Sequence, residues 1–83
     1  MIIRPMDQYS FAVEVTGAIT QNPHYEDVIY ESGCDDGLIV ITNGKMVIDF
    51  DRSAPSYDPA VASAIRDLQR IGVEIVKISP ITD

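Results

Sequence analysis

Two apolar runs that flank the dipeptide Asn43-Gly44 constrain this chain more than any other feature. Residues 38–42 precede the dipeptide and residues 45–50 follow it. A two-residue Asn-Gly loop favours a type I′ turn, because both of its positions need positive φ. That turn fixes the register of a hairpin, with Val40 opposite Val47. We assign the larger apolar face of this hairpin to the core: Ile39, Ile41, Met46, Ile48 and Phe50.

The segment before the hairpin predicts a strand and then a helix. Residues 9–16 alternate apolar and polar side chains with a period of two, which is typical of a half-buried strand. Asn22 followed by Pro23 favours a helix start, and Gly33 favours a left-handed helix end. The predicted helix spans about ten residues and depends on packing for its stability.

The segment after the hairpin predicts a second helix and a last strand. Ser56 or Asp58 caps the helix, and the last strand covers residues 73–78. Glu74 and Lys77 are three positions apart, so polar and apolar residues do not alternate regularly in this strand. A β-bulge would explain this spacing, and the sequence does not decide which face of the strand is buried. The helix has an apolar stripe of Val61, Ala64, Ile65 and Leu68, with Arg66, Asp67 and Arg70 turned outward.

The order strand, helix, strand, strand, helix, strand predicts an α+β fold of the ferredoxin-like βαββαβ kind. Its four-stranded antiparallel sheet carries two helices on one face. We assign residues 1–83 to a single domain. A chain of this length buries only about 60% of its unfolded surface, so its core must be efficient or shared with a partner.

The composition is that of a folded soluble protein, with 46% hydrophobic and 23% charged residues. No apolar run reaches the roughly 18–20 residues of a membrane span. The start of the chain lacks the pattern of a signal peptide. We therefore expect a cytoplasmic protein without membrane contact.

The net charge of −7 is concentrated in the middle of the chain. The electric field of this negative charge repels nucleic acid and attracts basic proteins. An acidic surface that only keeps copies of the protein apart in solution explains the same net charge. The outward hairpin face also lacks the aromatic residues on which RNA-binding sheets stack bases, so we expect no direct nucleic-acid binding. Between residues 26 and 51 a single base, Lys45, accompanies seven acids: Glu26, Asp27, Glu31, Asp35, Asp36, Asp49 and Asp51.

The sequence contains no recognisable catalytic constellation. His24 and Cys34 are the only histidine and cysteine, and the predicted helix holds them too far apart to act as a pair. We interpret Cys34 as a small buried hydrophobe. The glycines form no phosphate-binding loop. We predict a protein that is not an enzyme and binds no cofactor.

One acidic cluster is predicted at the open end of the hairpin. Asp36 lies opposite Asp51 in the register, with Asp35 and Asp49 close by. Hard cations prefer oxygen ligands gathered in this way, but no calcium-loop spacing is present. A solvated acidic rim that Arg52 neutralises explains the same residues, and we predict no metal site.

The outward face of the hairpin is unusually apolar. Leu38, Val40 and Val47 form a patch there, which Ile75 of the last strand is expected to extend. A contiguous exposed patch is typical of an interface, so we predict either sheet-to-sheet dimerisation or cover by a partner. Cover by a helix or by residues 1–6 is the competing interpretation.

Residues 30–72 resemble the N-terminal domain of a family of small, largely uncharacterised bacterial proteins of the helix-turn-helix regulator type. The resemblance rests on Gly33-Cys34-Asp35-Asp36, on residues 50–56 (FDRSAPS) and on residues 60–68 (AVASAIRDL). In that family a helix-turn-helix segment usually follows, whereas this sequence stops at Asp83. The resemblance therefore implies an accessory domain that senses, dimerises or binds a partner, and it implies no catalytic residues.

These observations predict a non-catalytic protein-interaction or regulatory module. Its sharpest form is an antitoxin-like inhibitor or an adaptor that binds a basic protein, as a homodimer or a heterocomplex. One alternative is a homodimeric domain that senses a small molecule. A further alternative is an acidic mimic of DNA.

Overall fold

The computed structural model describes residues 6–81, and these form the predicted ferredoxin-like α+β fold. The sheet has the strand order β2-β3-β1-β4, with every neighbouring pair antiparallel. No helix within residues 6–81 has the length and apolar character needed to cross a membrane. The elements are β1 (Asp7–Thr16), α1 (Tyr25–Ile29), β2 (Gly37–Thr42), β3 (Lys45–Ala54), α2 (Tyr57–Gln69) and β4 (Glu74–Pro80).

The hairpin of β2 and β3 has the predicted register. Val40 pairs with Val47, and Thr42 pairs with Lys45 beside the turn. Asn43 has a φ of 53° and Gly44 a φ of 76°, as a type I′ turn requires. The local turn chemistry therefore determines which side chains of both strands share a face.

The core lies between one face of the sheet, here called the helix face, and the two helices. The rings of Phe11 and Phe50 are stacked with centroids 5.2 Å apart at its centre. On α2, the alanines allow the helix to approach the sheet closely, while Val61 and Ile65 are only half-buried. Burial of a side chain the size of Leu68 contributes about 2 kcal/mol. The buried apolar set of the strands and helices includes Phe11, Val13, Val15, Ile29, Met46, Ile48, Phe50, Ala60, Ala64 and Leu68.

The first helix begins later than the sequence predicted. The side-chain oxygen of Asn22 accepts a hydrogen bond from the backbone N–H of His24 at 2.8 Å. This local turn contains Pro23, so α1 starts only at Tyr25. A π-helical turn, Tyr30–Cys34, continues α1, and Gly33 within it has the expected positive φ, 111°. A 3-10 turn, Ala18–Gln21, that the sequence did not predict precedes the helix.

The assignment of Ile41 to the core is wrong. β2 forms one edge of the sheet, and the side chain of Ile41 is 51% exposed there. Ile39, on the same face and further from the turn, is half-buried against the core.

A bulge in β4 resolves the undecided face of the last strand. Lys77 pairs with Glu14, but Ile75 pairs with Val15, so Val76 is an extra residue. Because this residue resets the alternation, Ile75 and Ile78 both turn to the helix face and pack against the core. The prediction that Ile75 extends the outward apolar patch is therefore wrong.

Replacement of Gly37 tests the close packing at the start of β2. A Cβ atom added at Gly37 would lie 2.6 Å from Cγ2 of Ile48 and 3.2 Å from the carbonyl oxygen of Cys34. We expect Gly37→Ala to lower the free energy of unfolding by about 1–3 kcal/mol, measured by urea unfolding. Thr42→Ala, at the exposed end of the same strand, should change it by less than about 0.5 kcal/mol. Equal midpoints for both variants would contradict this packing.

Candidate functional site

Arg52 is the most extensively bonded side chain among the described residues. It points from β3 to the helix face, where its guanidinium carbon lies 5.1 Å from the centroid of the Phe50 ring. Its Nε and Nη2 atoms donate to the two carboxylate oxygens of Asp36, each at 2.8 Å. This bidentate geometry is the strong form of an arginine-carboxylate pair.

The remaining donors of Arg52 join three further groups. Nη1 donates to Ser63 Oγ at 3.0 Å and to Asp67 Oδ2 at 3.3 Å, and both of these residues belong to α2. Nη2 also donates to the carbonyl oxygen of Gly33 at 3.1 Å. We call these five residues the Arg52 network. Hydrogen bonding to Asp36 is the main cause that raises the pKa of Arg52 above its already high ordinary value.

The Arg52 network shows that two predictions about acidic residues are wrong. Asp67 does not turn outward; its side chain is only 15% exposed and binds Arg52. Asp36 does not join Asp51 in one cluster, because Asp36 precedes β2 in a turn and its side chain reaches the helix face. Asp51 alternates with Arg52 on β3 and therefore points to the opposite face of the sheet.

The four acids of the predicted cluster are thus distributed over different surroundings. Asp35 is exposed in the turn before β2, and Asp49 and Asp51 lie on the face away from the helices, here called the open face. Asp51 accepts a hydrogen bond from Ser10 at 3.4 Å. With its amide nitrogen toward Asp51, Gln8 donates to both carboxylate oxygens, at 2.8 and 2.9 Å. Within residues 6–81, no three His, Cys, Asp or Glu side chains are grouped so that they could hold a metal ion.

The open face carries three of the four predicted patch residues side by side. Val40 and Val47 are direct cross-strand partners, and Leu38 is two positions from Val40 on the same face. Leu38 is 63% exposed, and the two valines are half-buried. We call Leu38, Val40 and Val47 the apolar patch. Ala12 of β1, opposite Asp49, lies diagonally next to Val47 and extends the patch toward the middle of the sheet.

Charged side chains border the apolar patch on β3 and on β1. Glu14 is the cross-strand neighbour of Val47 on β1, and Asp49 separates Leu38 from Ala12. Lys77 lies beside Glu14 and compensates part of its charge. The register places on the open face the acids Glu14, Asp49, Asp51 and Glu74 and the bases Lys45 and Lys77. The open face therefore combines an apolar patch on β2 and β3 with mostly acidic side chains on the rest of the sheet.

Cys34 and His24 lie at opposite ends of the first helical segment, which consists of α1 and the π-helical turn that follows it. Cys34 is fully buried, as the sequence predicted, and its sulfur is 3.5 Å from the hydroxyl oxygen of Ser32. Burial raises the pKa of the Cys34 thiol. His24 is exposed just before α1.

Sequence reasoning missed the convergence of Ser63 and Asp67 on Arg52. Their spacing of four residues places them on one side of α2, a relation that the sequence does contain. Their direction could not be read, because it depends on how closely α2 approaches the end of the first helical segment. A Cβ atom added at Gly33 would lie only 2.9 Å from Asp67 Oδ2, which shows how closely α2 approaches the end of that segment.

Comparisons with protein-family models, with curated proteins and with solved structures found no match for this chain.

Removal of Arg52 tests the network as a determinant of stability. Within residues 6–81, Arg52→Ala removes the only arginine bound to Asp36 and the nearer of the two arginines at the half-buried Asp67, and we expect a loss of about 3 kcal/mol in the free energy of unfolding. Arg52→Lys retains the charge but not the bidentate geometry, so its loss should be intermediate. Arg70→Ala is the matched control, because Arg70 also contacts Asp67, at 3.6 Å, but is 64% exposed. An exposed ion pair contributes at most about 1 kcal/mol. Equal losses for Arg52→Ala and Arg70→Ala would contradict this assignment.

The buried thiol predicts a loss of stability at alkaline pH. Because burial favours the neutral thiol, the folded protein retains the Cys34 proton at a higher pH than the unfolded chain does. This contribution to stability is present below the ordinary thiol pKa of 9.0 and is lost as the pH rises above it. Urea unfolding from neutral to alkaline pH should show a shallower decline for Cys34→Ala than for the wild-type protein. An equal decline of stability with pH in both proteins would show that Cys34 does not contribute to the loss of stability at alkaline pH.

Proposed function

We propose that this protein is a non-catalytic interaction module that binds a basic protein partner through the open face of its sheet. One observation carries the proposal. The apolar patch lies on the face opposite the two helices, and Leu38 at its edge is 63% exposed. A contiguous apolar surface with a polar rim is the usual composition of a protein interface.

The charge of the open face supports a basic partner. Four acids and two lysines share the open face with the apolar patch, and the whole chain carries a net charge of −7. Opposite charge on a partner accelerates the encounter and fixes its orientation, while the patch supplies the buried contact. Binding of this kind weakens as salt screens the charges.

The finer role that we propose is that of an antitoxin-like inhibitor of the partner, or of an adaptor protein that binds it. The acidic character of the chain supports it, because an inhibitor of a basic protein needs a complementary surface. The resemblance of residues 30–72 to an accessory domain of helix-turn-helix regulator-like proteins supports a regulatory role and stays a prediction.

Two alternatives use the same surface differently. A homodimeric sensor of a small molecule would cover the apolar patch with a second copy, and it predicts that a ligand raises the unfolding temperature. An acidic mimic of DNA would use Glu14, Asp49 and Asp51 in place of phosphates. The apolar patch among these acids favours a protein partner whose interface combines apolar and charged contacts.

Lysine substitutions on the two faces of the hairpin test the proposal. Val47→Lys places a charge in the apolar patch and repels a basic partner, whereas Ile41→Lys adds the same charge on the helix face. In affinity capture from the native cell, followed by mass spectrometry and titration of the purified partner, we expect Val47→Lys to weaken binding at least about tenfold. Ile41→Lys should bind normally, and higher salt should weaken the wild-type complex.

Three results would contradict the proposal: no stoichiometric partner at low salt, a partner without a basic surface, or equal binding by the wild-type protein and Val47→Lys. Circular dichroism of both variants shows whether the fold is retained.

A further inference from the structure

The outer edge of β2 offers backbone groups for pairing with another strand. Thr42 and Lys45 flank the two-residue turn and exchange backbone hydrogen bonds with each other. In an antiparallel ladder, hydrogen-bonded and non-hydrogen-bonded pairs then alternate along the two strands. Val40 and Leu38 therefore bond to β3, while the N–H and C=O groups of Gly37, Ile39 and Ile41 point away from the sheet. The edge thus presents three donors and three acceptors in a row.

The side chains of β2 do nothing to prevent such pairing, in contrast to those of β4. β2 reads Gly-Leu-Ile-Val-Ile-Thr, with no charge and no proline, and its exposed side chains are Leu38, Ile41 and Thr42. β4 carries Glu74, Lys77 and Pro80 and is interrupted by the bulge at Val76. Charges, proline and bulges are the usual devices that protect a sheet edge. Within residues 6–81, the β4 edge of the sheet is protected in this way and the β2 edge is not.

We propose that a second copy of this chain pairs with the β2 edge, antiparallel and about a two-fold axis through Ile39. In this register Gly37 of each copy lies opposite Ile41 of the other, and Ile39 lies opposite itself. All the outward groups are then used, which gives about six backbone hydrogen bonds, two for each pair. A register centred on Leu38 or on Val40 leaves outward groups beyond the end of the strand and gives about four.

The side chains fit the same register on both faces of the sheet. On the open face, Leu38 of one copy meets Val40 of the other, so the two apolar patches become continuous. On the helix face, Ile41 of each copy lies beside Gly37 of the other, so no side chain at position 37 opposes it across the new pair. The two exposed large hydrophobic side chains of β2, Leu38 at 63% and Ile41 at 51%, both lie at this contact.

The charge of the chain predicts an unusual dependence on salt. Each copy carries a net charge of −7, so two copies repel each other at low ionic strength. Salt screens this repulsion, and the pairing should strengthen as salt increases. Binding of a basic partner has the opposite dependence, so self-association and the proposed function can succeed or fail separately.

Sedimentation and light scattering over a range of concentrations test the self-association. We expect the wild-type protein to be a dimer, and Ile41→Lys to raise its dissociation constant at least about tenfold, because an edge lysine opposes strand pairing. Val76→Lys is the matched control on the other edge, since Val76 is 54% exposed. Val76→Lys and Val47→Lys should each stay within about twofold of wild type, and unfolding curves show whether all three variants are folded.

A cysteine pair tests the register independently of these variants. Residues opposite each other at a non-hydrogen-bonded position have Cα atoms about 4.5 Å apart, within disulfide range. Mixing Leu38→Cys with Val40→Cys and oxidising should therefore give a covalent heterodimer at least about tenfold faster than either variant alone. Wild-type protein treated in the same way controls for the buried Cys34. A monomer at every concentration, or equal cross-linking of the single variants with themselves, would overturn the proposal.

Discussion

The guanidinium group of Arg52 holds together parts of the chain that have no other polar connection of comparable strength. It belongs to β3, yet it binds the turn before β2, the end of the first helical segment and the middle of α2. A two-layer domain of this size has a thin core, so the position of each helix depends on few contacts. One planar group with five donors fixes the separation and the angle of these elements at once.

The Arg52 network gives the three blocks of the family resemblance a common physical explanation. Asp36 belongs to the first block, Arg52 to the second, and Ser63 and Asp67 to the third. Residues far apart in the sequence meet around one cation, and Cys34 is buried next to them. These residues therefore attach the helices to the sheet, and the apolar patch lies on the opposite face.

The sequence predicted the features that depend on neighbouring residues. The hairpin register followed from Asn43 and Gly44, because two positive φ values leave few alternatives. The features that it did not predict depend on distant parts of the chain. The direction of Asp67 depends on how α2 lies against Gly33, and the exposure of Ile41 depends on which strand is left at the edge. The face of Ile75 required the position of a single extra residue in β4, and alternation alone could not locate it.

That extra residue has a consequence for the size of any assembly. The ladder of β2 with β3 has no such extra residue, whereas Val76 interrupts the ladder of β4 with β1. Its effect is to make the two edges of the sheet unequal. A sheet with two receptive edges adds copies at both ends and can grow into a fibre, whereas an isologous contact through one edge is complete after two copies. With β2 paired as proposed, the bulged and charged β4 edge would leave the assembly complete at two copies.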